Sequence, residues 1–166
     1  MLLLGDCIDR YGIAPQEIQN VMDELAGGLE SVDEIENACA IRGQLLEFAL
    51  KHVSEGHVAA LGHMENLASD LYWLERYDES IQLLERVWHL RIRDLGSRDP
   101  VTLETQNELV TVLVRGRQFE KGIDLAADLY DYYQDCFGAQ DERTASALEQ
   151  LTNARLWSEK DKSQGG

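Results

Sequence analysis

Apolar residues along this chain recur at helical spacing, and the recurrence itself repeats. Leu61, Met64, Leu67, Ala68 and Leu71 fall at i, i+3, i+6, i+7 and i+10, a single stripe along one helix face. The segment Glu75-Arg76-Tyr77-Asp78 interrupts the stripe, and a second one runs through Ile81, Leu84, Val87, Trp88 and Ile92 to Gly96. This pattern predicts two helices joined by a tight turn. Gly96 ends the second, because glycine enters the left-handed backbone region without a steric penalty. Asp99-Pro100 and Thr102 then supply a stop and a fresh start, since proline is accepted in the first turn of a helix.

The same arrangement returns 42 residues later. Leu61, Leu67, Leu71, Tyr77, Ile81, Leu83, Leu95, Gly96 and Thr102 are matched in identity or type by Leu103, Leu109, Leu113, Phe119, Ile123, Leu125, Phe137, Gly138 and Thr144. A step of 42 towards the N-terminus works more weakly, through Met22, Leu25, Ala26, Leu29, Ile35, Ala38 and Ile41. Three helix-pair units are therefore expected near 16–57, 58–99 and 100–141, with a half-unit at 143–158. A helix pair of this kind cannot bury its apolar face alone, so neighbouring pairs must stack. One repeat domain over 1–158 is expected, followed by a flexible polar tail at 159–166. The first eleven residues read as the second helix of an earlier unit, because Asp9-Arg10-Tyr11-Gly12-Ile13-Ala14-Pro15 resembles Arg93-Asp94-Leu95-Gly96-Ser97-Arg98-Asp99-Pro100 with one residue fewer.

Three stretches carry a family resemblance: Glu65-Asn66-Leu67-Ala68, Arg76-Tyr77-Asp78-Glu79-Ser80, and Leu95-Gly96-Ser97-Arg98-Asp99-Pro100-Val101-Thr102-Leu103. Together they resemble the tetratricopeptide repeat (TPR) of the kinesin-light-chain type, with its pattern N-L-A, G-[KR]-Y-[DE]-E-A, L-G-x-x-H-P-x-T-L. Asn107-Glu108-Leu109-Val110, Gly116-Arg117-Gln118-Phe119-Glu120-Lys121-Gly122 and Phe137-Gly138 echo it in the next unit. Asp99 stands where that pattern has His, and Ser80 and Gly122 where it has Ala. The resemblance implies an all-α fold: a right-handed superhelical stack of antiparallel helix pairs, with about seven main helices plus a short N-terminal one. Gly122, in a helix interior, is expected to loosen its pair by about 1 kcal/mol relative to Ala.

Composition narrows the function classes. With 44% hydrophobic residues and 2 Pro among 166, the chain is expected to fold. Leu2-Leu3-Leu4 is too short to span a bilayer or to serve as a secretory core, so a cytoplasmic protein is expected. Cys7, Cys39 and Cys136 are odd in number and far apart, which reads as reduced thiols. The formal net charge of -16 disfavours nucleic acid and anionic membranes as partners. A partner selected by charge is expected to be basic.

The resemblance further implies that the first helix of each unit lines a concave, protein-binding groove. The groove positions are then Asp23 and Glu24 in the first unit, and Glu65, Asn66, Ser69, Tyr72 and Trp73 in the second. Asn107, Glu108, Thr111, Val114 and Arg115 follow in the third, and Gln150, Asn153 and Trp157 on the last helix. The set is acidic and amide-rich: amides pair with the backbone of an extended peptide, and aromatics supply contact area at low entropic cost. No Lys is present to clamp a carboxylate, so a peptide or helix of basic or aromatic character is expected. The bland alternative is that Trp73 packs beneath a neighbouring helix and the acids form a solvated face.

Two other functions are weighed. Open ends of the stack could pair with further repeats or with a second copy, for which the apolar Leu2, Leu3 and Leu4 speak. An enzyme or metal protein is the remaining alternative. His52, His57, His63 and His89 make no H-E-x-x-H, and no G-x-S-x-G, P-loop or dinucleotide fingerprint occurs. No catalytic residue, metal or cofactor is expected.

Overall fold

The computed structural model describes residues 15–31 and 34–164. Among them seven helices and no strand occur: α1 (Pro15–Ser31), α2 (Ile35–His52), α3 (Val58–Trp73), α4 (Tyr77–Leu95), α5 (Pro100–Arg115), α6 (Phe119–Phe137) and α7 (Glu142–Gln164). The helix expected over the first eleven residues, with Leu2, Leu3, Leu4 and Cys7, lies outside the described residues.

The turns repeat as faithfully as the apolar stripes. His57 and Asp99 cap α3 and α5 by accepting from the main-chain N–H two residues on, at 3.2 and 2.9 Å. Asp141, another 42 residues along, accepts from Arg143 N–H at 3.0 Å at the start of α7. Such caps satisfy donors that have no partner inside the helix. Gly96 and Gly138 take positive φ, 97° and 79°, as their places after α4 and α6 require. Glu75 and Arg117, also 42 apart, take φ of 58° and 61°. There the N–H of the next residue closes back onto the helix, Arg76 to Leu71 O and Gln118 to Leu113 O, each at 2.8 Å. This is the bond that ends a helix in a Schellman turn.

The chain divides into two compact units, Met1–Leu83 and Leu84–Gly166. In the first, α1 packs on α2 and α2 on α3. Ala38, Leu45, Ala49, Ala60, Met64, Ala68 and Leu71 are buried, and Ser80 Oγ donates to Ala68 O at 2.7 Å. The apolar stripe expected on α1 is only partly used. Ala26 is fully buried and Met22 and Leu29 are half-buried, but Leu25 is 52% exposed. Gly27 and Gly28 sit within α1, near its end.

In the second unit α6 packs against α5 and α7, and α5 also touches α7. Leu103, Val110, Ala126, Leu129, Ala147 and Leu151 form its core, and each large aliphatic chain so buried is worth roughly 1.5–3 kcal/mol. Gly122 is buried where α6 crosses α5, and a Cβ there would stand 3.2 Å from Val114 Cγ2. Its role is thus close approach of two helices, which corrects the expectation of a loosened pair. Gln106, 2% exposed, donates to Leu125 O at 3.0 Å and Asp128 Oδ2 at 3.1 Å.

Residues beyond 158 continue in helix to Gln164, where a flexible tail is expected from the sequence. Ser158 is buried and Asp161 pairs with Arg117 in the turn before α6, so this last stretch has a partner to lie on. Among the described residues no helix is long and apolar enough to cross a membrane.

Candidate functional site

Helical spacing brings Glu104, Asn107, Glu108, Thr111 and Arg115 to one side of α5, each three or four residues from another of the set. Arg143, Ser146, Gln150, Asn153 and Trp157 do the same on α7. The two rows face a common pair of clefts. One, of about 830 Å³, is lined on α5 by Leu103, Glu104, Asn107 and Glu108, and on α7 by Glu142, Arg143, Ser146 and Ala147, with Tyr133 and Asp141. The other, of about 220 Å³, is lined by Thr111, Val114, Arg115, Gln150, Asn153, Ala154 and Trp157.

A cross-helix bridge joins residues of the two linings. Gln150 Nε2 donates to Asn107 O at 3.0 Å and to Thr111 Oγ1 at 3.2 Å, while Thr111 Oγ1 donates back to Asn107 O at 3.2 Å. The bridge commits the amide nitrogen and leaves Gln150 Oε1 buried without a partner among the described residues. Buried acceptors of this kind are uncommon, because losing hydration without replacement costs about 1–3 kcal/mol.

The clefts differ in charge. In the larger, Arg143 is already matched: Nε and Nη2 donate to the two oxygens of Asp141, at 2.8 and 3.0 Å, and the guanidinium lies 3.5 Å from the Phe137 ring centroid. That hydrogen bond holds the Asp141 carboxyl below its ordinary range. Glu104, Glu108 and Glu142 keep the lining acidic. The Tyr133 phenol beside them is pushed up by its burial, and Glu104 acts in the same direction. In the smaller cleft Arg115 lies over the Trp157 ring, 5.5 Å from its centroid, a cation–π pairing between two exposed side chains. On the α5–α7 face the carboxylates therefore line the larger cleft and not the smaller.

In the first unit the expected residues sit on α1 and α3. Asn66, Ser69 and Trp73 are exposed, Trp73 by 65%; Glu65 and Tyr72 are half-buried. Trp73 does not pack under a helix. Its ring meets Tyr72 edge-on at 5.4 Å, and Tyr72 meets Tyr77 at 5.8 Å. Glu24 is exposed, whereas Asp23 faces the buried His63 across 3.7 Å. A cleft of about 330 Å³ in this unit is lined by other residues, among them Cys39, Leu67, Leu71, Arg76 and Glu79.

Sequence reasoning missed Glu104, Tyr133, Glu142 and Arg143. The last three come from the turn and helices around α5 rather than from the row of groove positions that the resemblance marks.

No protein-family model matches the chain, and no curated protein matches its sequence. Among solved structures, two of a kinesin-light-chain-type protein from Podosopora anserina, with nearly identical TPR-like repeats, are similar to it. One is a point variant of the other. Each gives a TM-score of 0.80 over 96% of this chain and 76% of that one, at 17% sequence identity. The likeness shows the fold, a TPR-like helical repeat.

Proposed function

We propose that this chain is a cytoplasmic protein-interaction module, without catalytic activity of its own, that seats a peptide or helix of a partner protein along the α5–α7 face. The observation that carries the reading is the pair of clefts on that face. Asn107, Glu108, Thr111, Val114, Arg115, Gln150, Asn153 and Trp157 line them, and these are positions a TPR resemblance assigns to the groove. The α3 positions Glu65, Asn66, Ser69, Tyr72 and Trp73 offer the same mixture of amide, carboxylate and aromatic groups, with Asp23 and Glu24 on α1.

The chemistry points to a basic and aromatic ligand. A Lys or Arg side chain is the natural complement to Glu104, Glu108 and Glu142, and an aromatic or aliphatic one to Tyr133 or to Val114, Ala154 and Trp157. The exposed side-chain amides of Asn107 and Asn153 offer donors and acceptors to the main chain of an extended peptide. Exposed aromatics such as Trp157 and Trp73, 49% and 65% exposed, are the residue types that dominate binding energy at interfaces.

The test is to pan a random peptide library on the intact chain, with counter-selection on the Asn153→Ala, Trp157→Ala double variant. Both positions are exposed, so the variant is expected to keep its helix content. Enrichment of sequences pairing Lys or Arg with an aromatic residue supports the reading. Sequences retained equally by both proteins remove the α5–α7 face from consideration.

A second reading, self-association through α7, is favoured by Leu148 and Leu156, which are 45% and 56% exposed. The rest of that surface weakens it. The buried Leu103, Gln106, Val110 and Leu113 of α5 correspond, 42 residues on, to Ala145, Leu148, Thr152 and Arg155 of α7, all exposed. Arg155 and Thr152 at such positions suit an outer face in water.

A further inference from the structure

Three charged residues of the first unit stand where the repeat elsewhere carries apolar or aromatic ones. Glu30, Arg42 and Asp70 correspond, 42 residues on, to Tyr72, Leu84 and Val112, and after another step to Val114, Ala126 and Ala154. They come from α1, α2 and α3, and they meet. Arg42 Nη1 donates both to Glu30 Oε1 and to Asp70 Oδ1. The side chains of Arg42 and Asp70 are 10% and 0% exposed, that of Glu30 37%. Arg42 Nε and Asp70 Oδ2 are buried without a hydrogen-bond partner among the described residues.

Apolar packing holds α1 weakly. Among its described side chains Ala26 is the one fully buried apolar group; Met22 and Leu29 are half-buried, and Val21 and Leu25 are exposed. Gly27 and Gly28 each cost about 1 kcal/mol of helix stability relative to Ala. Nothing lies within 4 Å of a Cβ at either, so packing does not require glycine there. Besides this modest apolar contact, the ties of α1 to its neighbours include Glu30 with Arg42 and Asp23 with His63.

We propose that Glu30, Arg42 and Asp70 form a proton-sensitive latch, which holds α1 on α2 and α3 and loosens when both carboxyls are ionised. One guanidinium neutralises one carboxylate. A second negative charge in the same buried site is left uncompensated, and removing such charge from water is costly.

The titration behaviour agrees with the geometry. Burial, reinforced by the neighbouring Glu30, pushes the Asp70 carboxyl up to about 7, whereas Arg42 holds the Glu30 carboxyl below its ordinary range. An acid whose folded value lies above its unfolded 3.8 contributes stability at low pH, and that contribution is lost as pH rises towards 7. Glu30 is ionised in both states above pH 6 and adds no slope there. Where opening of α1 exposes Asp70 to water and returns its carboxyl to the ordinary value, opening is expected to rise about tenfold between pH 6 and pH 8. The other groups near Asp70 are the Cys39 thiol on α2, pushed up by burial and by Asp70 itself, with Arg76 and Glu79 of the α3–α4 turn region acting on that thiol. His63 shares α3 with Asp70 and faces Asp23 of α1.

The test is hydrogen–deuterium exchange on the whole chain at pH 6 and pH 8, corrected for intrinsic exchange, with α5 amides as internal reference. The intact chain is expected to show the tenfold rise in α1. Asp70→Asn is expected to abolish it with α1 protected throughout, and His63→Gln to keep it. Should Asp70→Asn fail to fold, the Arg42→Leu, Asp70→Val pair, which installs the residues of the next unit, is expected to be equally flat. Equal α1 protection at both pH values in the intact chain would overturn the proposal. So would an undiminished rise in the Asp70 variants, or loss of the rise in His63→Gln.

Discussion

The amide of Gln150 on α7 donates to the main-chain oxygen of Asn107 on α5 at 3.0 Å, tying together the two helices that form the clefts. The same nitrogen reaches Thr111 Oγ1 at 3.2 Å. Gln150→Leu removes both bonds. It is expected to lower stability by about 1 kcal/mol, the net worth of a typical hydrogen bond, without loss of helix content. Urea unfolding followed by circular dichroism measures this; an unchanged midpoint would mean that the bridge contributes nothing to stability.

Gly122 and Val114 are expected to be energetically coupled. Gly122→Ala gains about 1 kcal/mol of helix propensity but places its methyl 3.2 Å from a β-branched side chain that is stiff in a helix. On the intact background the gain should be largely cancelled. With Val114→Ala already present it should appear in full. A double-mutant cycle by urea unfolding reads the difference, and strict additivity would show that the close approach is not limiting.

Arg98 pairs with Asp128 through two hydrogen bonds of 2.8 Å and lies 4.8 Å from the Tyr132 ring centroid. Arg98, and then Gln106, hold the Asp128 carboxyl below its ordinary 3.8. A depressed acid contributes stability above its unfolded value and loses it as pH falls through the folded one. Asp128→Asn is therefore expected to lower the melting temperature at pH 6 but not at pH 2. Both groups are about half exposed, so the effect at pH 6 should be small and should shrink further in 1 M salt. A difference that persists at pH 2 would assign it to packing instead.

The polar substitutions on the outer face of α7 lead to an expectation about mass. Sedimentation equilibrium should return a monomer from micromolar concentrations upwards, even though Leu148 and Leu156 are exposed. A concentration-dependent dimer abolished by Leu148→Glu would move the account to the self-association reading.

The helices were legible because two simple signals coincide. The stripe from Leu61 to Leu71 and its copy from Leu103 to Leu113 mark helix faces, and Gly96 and Gly138 mark ends whose positive φ the structure shows. The left-handed turns at Glu75 and Arg117 were hidden, since neither residue is one that favours such a backbone. Gly122 was misread because propensity reports the helix alone, whereas Val114 on the next helix decides what fits there. Asn107, Glu108, Thr111, Val114, Arg115, Gln150, Asn153 and Trp157 could be placed by repeat register. Glu104, Tyr133, Asp141, Glu142 and Arg143 could not, because the groove positions that the resemblance marks do not include them. Arg42 and Asp70 did carry a signal, a charge at positions that are apolar one and two steps later, but only the fold shows that the two meet.

Whether a partner segment sits on the α5–α7 face is read from the dissociation constant of a library-selected basic, aromatic peptide. Fluorescence anisotropy would compare the intact chain with Asn153→Ala, Trp157→Ala and with Glu104→Gln, Glu108→Gln, at 50 mM and 500 mM salt. Each pair of substitutions is expected to weaken binding at least about tenfold, the loss of roughly 1.4 kcal/mol, with helix content unchanged. High salt is expected to weaken the intact complex more than the Glu104→Gln, Glu108→Gln one. Equal affinity for the intact chain and both variants would contradict a partner segment on the α5–α7 face.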